Sequence, residues 1–295
     1  MIHSKSVKPA VRAGWLRVLL YIPSMIIVIL TGLSVFVLAV HKDHLAFPDL
    51  LEWFNGNKIW LFTIFLFTSS LLVTYVFRRW IDRKSFISLG FSIRGHFGDA
   101  IAGTMLSVFI ICATSLLLKF TGHLKWMDII FDPRAIFIAF GIIALSSFAE
   151  ELIFRGYILG NLMESFAKWP ALLISALLFM IMHWTTNGFF PLVNTLVLGM
   201  ILGLNYIYTR NLWFSICFHT GWKFLEGPLL GFPGNESFQT LLQADIHGDE
   251  NITGGANGLE GSFILLAISL LSLVTLFLFL QKKLSPQSPP VPGRI

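Results

Sequence analysis

The sequence predicts an all-α, polytopic membrane protein, a bundle of about eight transmembrane helices with its N- and C-termini cytoplasmic. Composition is the first reason. Of 295 residues, 55% are hydrophobic and only 13% charged, against about 45–50% apolar and about 25% charged in soluble domains. Charge spacing is the second. Uncharged runs occupy Val18–Val40, Ile59–Phe77, Ala100–Leu118 and Gly261–Gln281, each long enough to cross a bilayer as a helix. A mean hydropathy of +0.75 with 29 phenylalanines excludes disorder, a coiled coil and a basic nucleic-acid-binding surface.

The other spans follow from the same spacing. Arg134 and Glu150 bracket 15 apolar residues, and that helix is expected to run on through Glu150, Glu151 and Arg155. Between Lys168 and Arg210 lie 41 uncharged residues, too many for one helix. Turn residues cluster at Asn187-Gly188 and Pro191, which divides the stretch into spans at about 170–186 and 191–209. A shorter apolar segment runs from Leu212 to about Leu225, and a polar excursion follows at Phe232–Glu260. The first span is too long for a cleavable signal peptide and no small-residue cleavage site follows it. Cys112 and Cys217 sit in apolar surroundings and form neither a disulfide framework nor a Cys-based metal motif.

Basic residues orient the bundle. With the N-terminus inside, 15 of the 21 lysines and arginines fall on the cytoplasmic side and six on the other, so the +5 net charge reports topology rather than a polyanionic partner. Short loops and this asymmetry point to a multi-pass protein of the plasma (cell inner) membrane.

Ionisable side chains inside spanning helices cost roughly 2.5–3.5 kcal/mol each on insertion scales, so each one calls for a reason. Glu150-Glu151-x-x-x-Arg155 places Glu151 and Arg155 four apart, in the favourable order for a helical ion pair. Glu150 points about 100° away around the helix and is left unpaired. Among the eight histidines, only His183 and His219 are embedded in apolar helix. Phe179, His183 and Asn187 share one face at period-four spacing. A free carboxylate and two imidazoles on three helices suit the activation of a water molecule, with the imidazoles holding the water, a metal or a developing oxyanion. The chain contains no H-E-x-x-H, which excludes a zincin-type protease.

Three motifs in order carry a family resemblance: Glu150-Glu151-Leu152-Ile153-Phe154-Arg155, then Phe179-Met180-Ile181-Met182-His183, then His219 with Gly221-Trp222 and Gly227-Pro228. They resemble the CPBP family of intramembrane proteases, which groups CAAX proteases with bacteriocin-processing and Abi-like proteins. Asn187, Asn194 and the Gly199-x-x-x-Gly203 stripe are similar to features of bacterial members. The resemblance implies catalytic roles for Glu150, His183 and His219, a structural ion pair between Glu151 and Arg155, and accessory roles for Phe179, Asn187, Asn194 and Lys223. It also implies either zinc held by Glu150, His183 and His219 or a metal-free, glutamate-dependent reaction. One carboxylate and two imidazoles suit both. On this reading residues 1–129 supply three N-terminal spans and 130–230 a four-span catalytic core. Residues 231–261 form a polar outer loop, and 262–295 the last helix and a cytoplasmic tail.

One position departs from the pattern. Family members usually carry Asn four residues after the third-motif histidine, where this chain has Lys223. Lys223 is expected either to pair with Glu226, three residues on, and turn away from His219, which is the favoured arrangement, or to point its ammonium at the oxyanion position as a substitute donor. Three function classes follow. The leading one is an endopeptidase that cuts a membrane-associated substrate, prenylated or carrying a leader peptide. The second is a silent relative acting as a binding or bacteriocin-immunity protein. The third is a transporter, for which the inverted repeat such folds use is not seen.

Overall fold

The computed structural model describes residues 8–40, 59–183, 188–234 and 238–284. Every apolar segment expected from the sequence is helical: α1 (Gly14–Val40), α2 (Ile59–Val76), α3 (Phe97–Phe120), α4 (Pro133–Glu151), α5 (Lys168–Met182), α6 (Phe189–Thr209), α7 (Trp213–Phe224) and α8 (Phe263–Leu284). The chain is an all-α, multi-pass membrane bundle. Among the described residues six helices are long and apolar enough to cross a bilayer; α5, at 15 residues, is shorter, and so is α7, at 12. Expected spans at 170–186 and 212–225 are therefore shorter helices; His183 lies at the C-terminal end of the first and His219 in the middle of the second.

Local chemistry sets the helix ends. Asp132 caps α4, accepting hydrogen bonds from the backbone N–H groups of Arg134 and Ala135, with Pro133 in the first turn, where its missing N–H costs nothing. Asn211 starts α7 by accepting from Trp213 N–H at 3.0 Å while donating to Ser92 O at 2.6 Å. Two helices change winding. After Glu151, α4 continues as a wide π-type stretch over Leu152–Leu159 and closes with Gly160–Leu162. After Phe224, α7 does the same over Leu225–Leu229, a stretch that contains Pro228.

Lipid-facing surfaces are largely apolar, as exposed Ile27, Phe109, Leu271 and Phe279 show, while Ser69, Ser70, Thr74, Ser107 and Thr114 are buried. Close packing depends on small residues. A Cβ on Gly103 of α3 would lie 2.3 Å from Phe214 O of α7, and one on Gly203 of α6 would lie 2.4 Å from Leu172 of α5. Gly199, one turn earlier, faces Ala176 at 3.1 Å, so the Gly199-x-x-x-Gly203 stripe is the surface on which α5 and α6 meet.

Two features are invisible to a charge-spacing reading. Leu124–Ile129 (β1) pairs antiparallel with Leu242–Ile246 (β2), so the outer loop is tied to the α3–α4 connection. At the opposite end, Asp82 is fully buried and accepts from Arg17 (3.4 Å), Arg78 (2.9 Å), Tyr157 (3.2 Å) and Asn161 (3.4 Å). Arg17 also reaches Asn161 Oδ1 at 2.6 Å and Glu164 at 2.8 Å. Partial burial raises the carboxyl of Glu164, but Lys84 and Arg17 outweigh it and hold the group below its ordinary value. This cluster joins α1, the end of α2 and the far end of the α4 rod.

A buried carboxylate with two cationic partners leaves uncompensated charge when it is removed. We expect Asp82→Ala to lower unfolding stability by about 3–5 kcal/mol, read as the shift of a denaturant midpoint in detergent micelles. An unchanged midpoint would show that the cluster braces nothing.

Candidate active site

Three helices converge where the sequence places its embedded charges. Glu150 lies in the last ordinary turn of α4, His183 caps the C-terminus of α5, and His219 lies within α7. Glu150 Oε2 stands 3.3 Å from His183 Nε2 and 3.6 Å from His219 Nε2. Each imidazole is oriented through its other nitrogen. His183 Nδ1 donates to Phe179 O at 2.9 Å; because a carbonyl only accepts, this nitrogen carries the proton. His219 Nδ1 faces Glu151 Oε1 at 2.8 Å, and a carboxylate already paired with an arginine assigns the proton to Nδ1 by the same logic. In their neutral forms both rings therefore turn Nε2 lone pairs toward Glu150 Oε2, a buried oxygen with no hydrogen-bond partner. Three acceptors face one point, and a water molecule there can donate its two protons to two of them at a time.

Behind this trio sits the ion pair. Arg155 Nη1 donates to Glu151 Oε1 at 2.9 Å and Nη2 to Gly199 O at 3.2 Å. Its guanidinium lies 4.4 Å from the Phe179 ring centroid. Phe179 packs on His183 at 4.2 Å and edge-on to His219 at 5.8 Å. Glu151 thus does more than balance Arg155: it orients His219, a role that i, i+4 spacing alone does not reveal.

The Lys223 expectation is corrected. Its Nζ donates to Glu150 Oε1 at 2.6 Å, so Glu150 is not free, and Glu226 instead accepts from Leu259 N–H at 2.9 Å. The cause is winding. An i, i+3 pairing assumes about 100° per residue, and the wide turn that begins at Leu225 rotates Glu226 off the face of Lys223. Arg155 is committed to Glu151, which leaves Lys223 as the cation for Glu150. Of the other expected residues, Asn194 donates to Glu260 O (2.6 Å) and Ser262 O (3.1 Å), fastening α6 to the start of α8 rather than touching Glu150. Asn187 lies outside the described residues.

Side-chain exposure divides the cluster. Glu150, His183 and Lys223 are 24%, 33% and 26% exposed, while Glu151, Arg155 and His219 are at or below 1%. His183 and Lys223 line a cavity of about 590 Å³ together with Ser146, Ile142, Glu226 and Glu260. The sequence reading singled out neither Ser146 nor Glu260; they come from the preceding turn of α4 and from the approach to α8.

Zinc fits this set poorly. Ligand atoms on a tetrahedral zinc stand roughly 3.3–3.4 Å apart, a spacing the two Nε2–Oε2 separations approach, so charge must decide. Lys223 already neutralises Glu150, Arg155 neutralises Glu151, and the imidazoles bring no negative charge. A dication placed here would stand beside the Lys223 ammonium that already holds Glu150 and would repel it. Among the described residues, no group of three His, Cys, Asp or Glu side chains is disposed to hold a metal.

A family model described as type II CAAX prenyl endopeptidase Rce1-like matches residues 132–225, from the cap of α4 to the first residue of the wide turn after α7. The chain thus resembles the CAAX-protease group over the segment that carries Glu150, His183 and His219. Neither the curated proteins nor the solved structures searched contain a match.

Arg155 holds α4, α5 and α6 at one point. We expect Arg155→Ala to cost about 3–5 kcal/mol by leaving Glu151 buried and unpaired. Arg155→Lys should recover only part of it, because an ammonium lacks the planar fork that reaches Glu151 and Gly199 O together. Unfolding in detergent for the two variants side by side checks both. Equal stability of Arg155→Ala and the parent would show the pair to be incidental.

Proposed function

We propose that the chain is an intramembrane endopeptidase that hydrolyses a peptide bond of a membrane-associated substrate, prenylated or carrying a leader peptide, in the plasma (cell inner) membrane. The observation that carries this reading is the convergence of Glu150 Oε2 with the Nε2 atoms of His183 and His219 at 3.3 and 3.6 Å, within the segment similar to CAAX prenyl endopeptidases. Lys223 favours the glutamate-dependent, metal-free form.

In that form a water molecule donating to Glu150 Oε2 and to one imidazole Nε2 gives its proton to Glu150, and its oxygen attacks the scissile carbonyl carbon. As Glu150 becomes neutral, the Lys223 ammonium loses its counter-charge at the moment an oxyanion forms on the substrate. The ammonium can therefore exchange Glu150 for the oxyanion, a donor positioned for charge that appears only along the reaction. Collapse of the tetrahedral intermediate breaks the C–N bond, and the Glu150 carboxyl returns its proton to the departing amine. The water's atoms end on the new carboxylate and the new amine. Glu151, held by Arg155, fixes the His219 tautomer throughout.

A second reading has a specific observation behind it. The 2.6 Å bond from Lys223 to Glu150 also describes a silenced base, as a binding or immunity protein would carry. The two readings predict opposite responses. For an endopeptidase, Glu150→Gln lowers turnover of a membrane peptide by about 10²–10⁴, and Lys223→Asn lowers it by about 10²–10³, the usual loss for one oxyanion donor. Dialysis against a chelator should leave turnover unchanged. Cleavage by purified protein in detergent, followed by mass spectrometry, is the measurement. An inert parent that gains activity on Lys223→Asn would establish the silenced reading instead.

A further inference from the structure

The end of the bundle that holds the Asp82 cluster exposes more positive charge than its own carboxylates balance. Lys8 and Arg12 precede α1, and Arg79, Arg83 and Arg94 lie on the connection from α2 to α3; all five are exposed. Among the described residues none of them has a carboxylate within ion-pair distance. The acidic residues of this end are already committed, Asp82 to Arg17 and Arg78, Glu164 to Arg17 and Lys84, and Asp99 to His96. The cations sit on a fixed frame. Arg78 turns inward and pins the connection, donating to Ser85 O and Ser88 O at 3.4 Å and to Ser88 Oγ at 2.7 Å. The N-terminal segment is laid against it by Ala10 N–H, which donates to Ile81 O at 2.8 Å, and by Arg83 Nη1, which donates to Lys8 O at 3.3 Å. Interleaved with the arginines along the chain, Trp80, Ile87, Ile93 and Phe97 are between 56% and 68% exposed. They flank the ends of two spanning helices and continue the apolar surface that those helices turn to lipid.

We propose that this face binds the headgroups of anionic phospholipids in the adjoining leaflet, its arginines on the phosphates and its apolar residues among the acyl chains. Two independent features select that partner. Unpaired cations call for negative charge, and the planar fork of arginine matches a phosphate better than an ammonium does. Large apolar side chains beside them call for hydrocarbon, with tryptophan at home at the level of the headgroups. A free phosphate ion would satisfy the first feature and leave the second in water. Clusters of about four to eight basic residues next to a spanning helix attract anionic lipid at about fivefold in affinity per cation. The same cations orient the bundle in any bilayer; the rigid frame and the apolar anchors add a preference among lipids. This surface lies outside the Glu150 site and does not depend on the endopeptidase reading.

The test is native mass spectrometry of the full chain from a neutral detergent. Phosphatidylglycerol, phosphatidylcholine with the same acyl chains, or inorganic phosphate is added in turn. Phosphatidylglycerol is expected to be retained at least about tenfold more strongly than phosphatidylcholine, by a margin that narrows as ammonium acetate rises. The triple variant Arg79→Gln/Arg83→Gln/Arg94→Gln should bring the ratio of the two lipids toward one. Arg79→Lys/Arg83→Lys/Arg94→Lys, which keeps the charge, should keep most of the preference. So should Lys282→Gln/Lys283→Gln, which removes the two cations in the last turn of α8. Equal retention of the two lipids by the parent overturns the proposal, as does a preference that survives the glutamine triple. A lysine triple as deficient as the glutamine one, or a loss as large from the α8 pair, overturns it too. Phosphate adducts as strong as the phospholipid ones would reduce the surface to an ion site. A doubled mass that vanishes in the glutamine triple would assign the face to a second copy of the chain instead.

Discussion

The guanidinium of Arg155 holds most of this site in register. It bonds Glu151 on its own rod, the carbonyl of Gly199 on α6 and the face of Phe179 on α5, and through Glu151 it reaches His219 on α7. At bilayer depth a guanidinium needs partners; Nη1 and Nη2 find them while Nε is buried without one, and those two bonds draw the helices together. The glycine at 199 lets α6 approach near enough for its carbonyl to serve. Orientation of the water-activating groups is thus a by-product of satisfying one buried cation.

Charge is then handled differently at three depths. In the Asp82 cluster every charge has partners from several elements, and the result is a brace. At Glu151 and Arg155 the pair is fully buried and turned to orienting an imidazole. At Glu150 and Lys223 the pair is partly exposed and Lys223 lines a cavity, which is where a substrate could compete for it. The gradient from buried to partly exposed follows the change from scaffold to chemistry.

Much of this was legible in the sequence because charge in an apolar chain is rare. Uncharged runs, with turn residues dividing the longest of them, locate all eight helices, and the few embedded ionisable residues, Glu150, Glu151, Arg155, His183 and His219, meet at one place. What escaped has identifiable causes. Asp82, Arg17 and Arg78 sit at helix ends, where charge spacing reads them as ordinary interfacial residues; only the tertiary fold buries them together. Pairing of β1 with β2 joins segments more than a hundred residues apart, and their alternation is too short to register. The partner of Lys223 was misjudged because spacing arguments assume uniform winding, and α7 abandons it at Leu225. Glu260 gave no signal, since the polar loop before α8 surrounds it with other polar residues.

The two wide turns have a consequence for how such chains are compared. A π-type stretch accommodates an extra residue without lengthening the rod in proportion, so positions on either side of it obey different angular registers. On α4 the change begins immediately after Glu150 and Glu151, and on α7 immediately after Lys223 and Phe224. A relative whose helices are wound uniformly would superpose on one side of each break and slip by about a residue on the other. Residue-by-residue equivalence is therefore safest for Glu150, Glu151, His219 and Lys223, which precede the breaks, and weakest for Arg155 and Glu226, which follow them.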